Sequence, residues 1–194
     1  YCGAATRLWG VIAMMDSIAA SFPRHTAKKV EKNADGGDVA IEPDGAPALF
    51  VFKTVADPFV GKMSFFKVMN GSVKKDMVLK NARSGVDEKF AHIYIMKGNK
   101  QIEVDELACG DIGMVSKLTD TNTNDTLSRS GKVEYNPVKY ATPYYCKALY
   151  PLTAKDESKI SQAIARMTEE DRTLRYENNS ETNQQLIYAM GDMH

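Results

Sequence analysis

The sequence is poor in reactive groups. It has three cysteines, three histidines and one tryptophan in 194 residues. Cys2, Cys109 and Cys146 are odd in number and scattered, so they offer neither a disulfide framework nor zinc-ligand spacing. Reduced thiols in a cytoplasmic protein are the simpler reading. Cys146 has no evident histidine base, and His25 has no second metal ligand at helical or hairpin spacing. No apolar run approaches the roughly 20 residues that a membrane span needs. The first apolar segment contains Asp16 and follows no cationic start, unlike a signal peptide. Charge of one sign is also missing: 25 basic residues balance 25 acidic ones. That excludes binding to nucleic acid through bulk charge and leaves room for a local basic face. No Gly-x-x-x-x-Gly-Lys-[Ser/Thr] loop occurs, because Gly61-Lys62 lacks the upstream glycine and is followed by Met63. Nucleotide hydrolysis therefore cannot reside in these residues.

What is present is punctuation. The apolar stretch 48–55 stops at Asp57-Pro58, since proline has no N–H for a sheet ladder. The stretch 62–69 stops at Asn70-Gly71, a pair suited to positive φ. The chain then returns over 73–80, which predicts a β-meander. Further strands are expected at 89–96, 101–107 and 111–118, with Lys97-Gly98-Asn99-Lys100 and Cys109-Gly110-Asp111 as turns. Six strands with no helical period between them predict an antiparallel β-barrel or sandwich over 47–128. Phe50, Phe52, Phe65, Phe66, Phe90, Val68, Val78, Ile93, Ile95, Val104, Ile112 and Val115 are its core candidates.

The flanks differ. Leu8, Val11, Ile12, Met15, Ile18 and Ala19 form one helical stripe over 8–22, ended by Pro23. A lone helix of this length needs a partner surface. Residues 24–46 and 129–142 read as linkers or exposed loops. From 143 the period changes: a strand at 144–150, a helix at 156–171 opened by Thr153-x-x-Asp156, then a hairpin of 172–178 and 184–190. Glu169, Glu170 and Asp171 stand at the helix end that disfavours carboxylates, which predicts fraying there. Strand–helix–strand–strand is the first part of a split βαβ domain, so an incomplete ferredoxin-like βαββ unit is expected. The fold class is mainly β with an α+β end, preceded by a single helix.

Lysines at strand ends and turns, Lys62, Lys67, Lys74, Lys75, Lys80 and Lys97, admit two readings. They are edge lysines that keep the sheet soluble, or a cationic rim that meets RNA phosphates.

Several motifs carry a family resemblance. Asp57-Pro58-Phe59-Val60-Gly61-Lys62 with Phe65-Phe66-Lys67-Val68 and Gly71, then Val104 to Ile112 with its Cys109-Gly110-Asp111-Ile112 ending, then Leu118 to Leu127, resemble the second domain of translation elongation factor G. Cys109 replaces an alanine of that pattern, and Asn124 replaces a glycine. Asparagine tolerates the same left-handed turn. Ala189-Met190-Gly191-Asp192-Met193-His194 resembles the Gly-Met-Gly-Glu-Leu-His of domain three. Cys2-Gly3-Ala4-Ala5 with Gly10-Val11 resembles the end of the GTPase domain, where the family has a Ser-Ala pair on guanine; Ala4 stands at the serine, which leaves a backbone role for Ala4 and Ala5.

The resemblance implies a piece of a ribosomal translocase: residues 1–23 the tail of the GTPase domain, 47–128 domain two, 143–194 a truncated domain three. It further implies a ribosomal partner, small-subunit RNA and proteins, met through Lys62, Lys74, Lys75 and Lys97 as a group, and a GTPase domain elsewhere in the same chain. GTP or GDP would belong to the intact protein only, with no metal, membrane or DNA partner for this segment. A ribosomal-protection or release-factor GTPase would share the barrel. A stand-alone barrel module is the alternative outside the class.

Overall fold

The computed structural model describes residues 2–24, 27–57, 60–151, 153 and 156–194. Pro58 and His25 lie outside the described residues. The centre is an eight-stranded antiparallel sheet that curls into a half-barrel. Its strands are β3 (Ala48–Asp57), β4 (Gly61–Asn70), β6 (Met77–Asn81), β7 (Asp87–Phe90), β8 (Ile93–Lys97), β9 (Lys100–Val104), β11 (Ile112–Ser116) and β12 (Thr126–Ser128). The order across the sheet is β7-β6-β12-β3-β4-β11-β8-β9. A short ribbon of β5 (Ser72–Lys74) and β10 (Glu106–Ala108) stands apart from it.

The meander holds for β3 and β4 only. Gly71 takes φ 61°, as the turn requires, and a side chain there would meet the Gly45 carbonyl. The chain then leaves β4 rather than pairing back on it; the other neighbour of β4 is β11. The expected strand 73–80 is two strands, because Asp76 turns the backbone into the left-handed region at φ 61°. The Asp76 N–H donates to the Phe90 carbonyl and the Lys75 N–H to the Asp105 carbonyl. Through these bonds the β5–β10 ribbon reaches from β7 to the end of β9. The stretches 89–96 and 101–107 are likewise each broken in two, at Ala91-His92 and at Asp105.

β12 was not expected. Its residues, Thr126, Leu127 and Ser128, are too few and too polar to read as a strand, yet it lies between β6 and β3 and is wholly buried. The core is Leu49, Val51, Phe66, Val68, Val73, Leu79, Phe90, Ile93, Leu107, Val115, Leu118 and Leu127. Phe66 and Phe90 meet edge to face at 5.7 Å. Five expected core residues, Phe66, Val68, Phe90, Ile93 and Val115, are fully buried. Phe52, Val78, Ile95 and Ile112 instead face outward, because β-strands alternate faces. A bulge between Val51 and Lys53 resets the phase of β3 and turns Thr54 inward. Gly113 is needed for packing: a Cβ there would sit 2.3 Å from Leu107 Cδ1.

The 24–46 stretch carries a hairpin, β1 (Val30–Lys32) with β2 (Asp38–Ala40). It is fastened to the 129–142 connector by the Asn33–Tyr135 bridge. Tyr135 is buried with Ala48 and Met69, with Val39, Phe50 and Val133 packed around them. The N-terminal helix α1 spans Val11–Ser21, shorter than 8–22, since Leu8 and Gly10 both have positive φ. No residue of α1 is buried, and Ile12, Met15 and Ile18 of its stripe are exposed. The C-terminal unit is β13 (Tyr145–Leu149), α2 (Glu157–Glu170), β14 (Arg175–Asn179) and β15 (Gln184–Ala189), with sheet order β13-β15-β14.

One polar device holds the β11–β12 connection. The Glu88 side chain is 3% exposed. Its carboxylate accepts from the Thr119 and Asp120 N–H groups and from the Thr119 and Thr121 hydroxyls. Asp125, 6% exposed, accepts from Asn81 Nδ2, from the Arg83 guanidinium and from the Asn122 N–H. Glu88→Gln keeps the size but aims an amide N–H at donors. It should lower stability by about 2 kcal/mol, read as a shift in the urea midpoint with the slope unchanged.

Candidate functional site

The Asp125-held loop places Asn122 at the end of the half-barrel. There Lys62, early in β4, donates to Asn122 Oδ1 at 3.1 Å and forms an ion pair with Glu169 of α2. The Ala56 N–H of β3 donates to Glu170. This follows from strand lengths. β12 pairs only with 48–50 of β3, so the far part of that edge is open and a backbone donor there needs an acceptor. Beside the contact runs an open groove of about 870 Å³, lined in part by Asn122, Tyr140, Pro143, Ile164, Thr168 and Tyr176.

The end of α2 is therefore held rather than left to fray. Glu169 and Glu170 meet the barrel. The Asp171 N–H closes the helix on the Met167 carbonyl at 2.8 Å. The Asp171 carboxylate takes the Thr173 N–H and hydroxyl and is bonded by His194 Nε2 at 2.9 Å. The Thr173 bonds, opposed by burial, hold that carboxyl below its usual range. His194 Nδ1 accepts the Met190 N–H, so Nε2 carries the proton that goes to Asp171. Asp192, the other polar group of that motif, takes the Tyr145 hydroxyl and pairs with Lys147.

The four lysines do not form one patch. Lys74 faces Glu106 at 3.6 Å and Lys75 faces Glu103 at 2.6 Å, at the base of the β8–β9 hairpin. Lys97 lies at its tip, across from Lys100. Gln101, beside that tip, touches Met63, the neighbour of Lys62. Lys62 and Lys97 thus share one region, and Lys74 and Lys75 another. Three of the four already have a carboxylate, a feature that strand-end spacing could not reveal, because the partners come from β9, β10 and α2. Of the basic cluster in the linker, Lys28 pairs with Glu31 at 2.6 Å.

Among the described residues, no group of three or more His, Cys, Asp or Glu side chains is placed to hold a metal. No helix among them is long and apolar enough to cross a membrane. The Cys109 thiol donates to the Met69 carbonyl, and burial pushes it up, away from nucleophile behaviour.

The comparisons with known proteins bear on this architecture directly. The family model described as Elongation factor G domain 2 matches residues 47–130, and Elongation Factor G, domain III, matches 140–194. The chain is elongation-factor-G-like. A crystal structure of a Thermus thermophilus protein is similar over 95% of this chain, with a TM-score of 0.74 and 25% identity. The chain spans about a quarter of that protein's length, 26%.

The half-barrel thus matches domain II of the elongation factor G kind, and the C-terminal layer matches domain III. Two departures from the family pattern acquire a structural account. Asn124 has φ 79°, as a glycine substitute must, and its amide also clamps Val138, accepting from the N–H and donating to the carbonyl. Ala4 lies in a small loop whose 3-10 turn is Ala5–Arg7. The Ala4 N–H donates to the Trp9 carbonyl at 3.1 Å, and the Ala4 carbonyl accepts from Arg7 and Trp9. Ala4 brings no hydroxyl to this loop, and its N–H is engaged within it.

Lys75 and His92 both bond Glu103. The Lys75 hydrogen bond, then that of His92, pulls the Glu103 carboxyl from 4.5 down to about 2. A depressed carboxyl adds stability that is present above its unfolded value and is lost as pH falls toward about 2. In a carboxyl NMR titration, Glu103 should titrate near 2, and Lys75→Gln should move its midpoint up toward 4.5.

Proposed function

We propose that this chain serves a cytoplasmic translational GTPase as its ribosome-facing adaptor. Domain II docks on small-subunit ribosomal RNA, and domain III transmits the nucleotide state of a GTPase domain by moving as a body. GTP or GDP would act in the intact protein, in translocation. The observation that carries this reading is the succession of two elongation factor G domain matches over one continuous chain.

The rim lysines supply the RNA contact in this reading, unequally. Phosphate contacts position a protein without reading sequence, and their strength falls with salt. Lys74 and Lys75 face Glu106 and Glu103, and Lys62 faces Glu169, so each must exchange a carboxylate for a phosphate. Lys97, across from Lys100 at the hairpin tip, presents a positive end instead.

Sedimentation of the chain with purified small ribosomal subunits over a salt series tests this. Pelleting should decline as salt rises. Lys97→Gln should lower the logarithmic salt slope by about 1, and Lys75→Gln by less. No pelleting at low salt refutes docking, and pelleting that ignores salt refutes the phosphate contact.

A further inference from the structure

At Lys62 the barrel rim and domain III compete for a single charge. Its side chain is 21% exposed and that of Glu169 is 32%, so the pair is partly withdrawn from water but reachable. Its environment is directional. Glu169, Glu170 and Asp171 gather at the C-terminal end of α2, where the helix dipole already adds negative charge. Lys62 supplies a cation to that end. The same ammonium group also bonds Asn122, which Asp125 holds rigidly against the barrel. A chain of contacts therefore runs from the buried Asp125 through Asn122 and Lys62 to α2. The second contact, from the Ala56 N–H to the Glu170 carboxylate, has a neutral donor on the barrel side and so offers an incoming anion no cation to take.

We propose that Lys62 is an exclusive switch contact. Its ammonium either ties Glu169 to the barrel or is given to a phosphate group, so an anion that docks at this end of domain II releases domain III. This rests on the reading of the rim as a phosphate-facing surface. It adds that docking and domain release are linked through one residue. The linkage needs no wire through the fold: one donor of the ammonium is already on Asn122, and a phosphate and the Glu169 carboxylate repel each other when both approach it, so the two anions compete for one cation.

The test needs no ribosome, so its failure is distinguishable from failure of subunit docking. Spin labels are placed at Asn99→Cys in the β8–β9 turn and Glu181→Cys in the β14–β15 turn, both exposed, with Cys2, Cys109 and Cys146 changed to Ser. Inter-label distances are measured in the whole chain, with inorganic tripolyphosphate or with sodium chloride at matched ionic strength. Tripolyphosphate should populate a longer, broader distance set than sodium chloride does. Lys62→Gln and Glu169→Gln should raise that open population about two- to five-fold without any anion, the range of a partly exposed ion pair. Lys62→Gln should then be blind to tripolyphosphate. The exchanged pair, Lys62→Glu with Glu169→Lys, should restore the closed distance and shows that loosening reflects the contact rather than damage to the fold. An unchanged distance in Lys62→Gln, an exchanged pair that stays open, or equal effects of the two salts overturns the proposal.

Discussion

The structure depends most on two buried carboxylates. Taking Glu88 and Asp125 out of water is costly, and the cost is met only because each is surrounded by donors. The consequence is order in residues 118–126, which hold no regular structure until β12. With Glu88 fixing Thr119 to Thr121 and Asp125 fixing Asn122, the chain is delivered into the gap between β6 and β3. Without that delivery, β3 would have no neighbour on its second side and the sheet would be two pieces. The half-barrel is thus closed over its core by polar bonds as well as by apolar burial.

The same loop sets the outer geometry. Asn124 N–H bonds the Val51 carbonyl, and Val51 N–H bonds the Asp125 carbonyl, so the loop replaces β12 where β12 ends. Beyond that point β3 is bare, and α2 reaches it with Glu170. An unpaired strand edge usually invites association with another chain. Here part of it is used as a seat for the next domain. The connector between the two domains is held independently, by the Asn124 clamp on Val138 and by burial of Tyr135, whose hydroxyl is pushed up to about 12 by that burial.

The sequence was informative where a residue type has one use. Asn70-Gly71, Lys97-Gly98 and the apolar run of β4 locate the end of β4, the β8–β9 turn and the sheet class. The βαββ order of the last fifty residues is readable because the period changes from 2 to 3.6. What was hidden is equally specific. β12 is three residues long and contains two hydroxyls, so no periodicity marks it. Glu88 is one of two adjacent acids in a charged run, Asp87-Glu88-Lys89, and burial cannot be read from its type. On β3 the expected core residues Phe50 and Phe52 lie on the face opposite Leu49 and Val51, and the bulge after Val51, which no local pattern announces, turns Thr54 inward. The lysines were found, but their carboxylate partners sit on elements distant in sequence.

That last point bears on how a neutral protein could meet RNA. With 25 charges of each sign, attraction cannot come from the molecule as a whole. It must come from small regions where pairing is incomplete or exchangeable. Lys97 with Lys100 is a region of the first kind, since the β-turn sets two like charges side by side. Lys62 with Glu169 is of the second kind, since the pair joins two bodies rather than two strands of one sheet. Exchange within the barrel, as for Lys75 and Glu103, frees a carboxylate that stays beside the incoming phosphate and repels it. Exchange across a joint frees a carboxylate that can move away with its helix. The geometry of the joint therefore makes Lys62 the easiest of the paired lysines to give to an anion, although in the resting structure it is one of the most engaged.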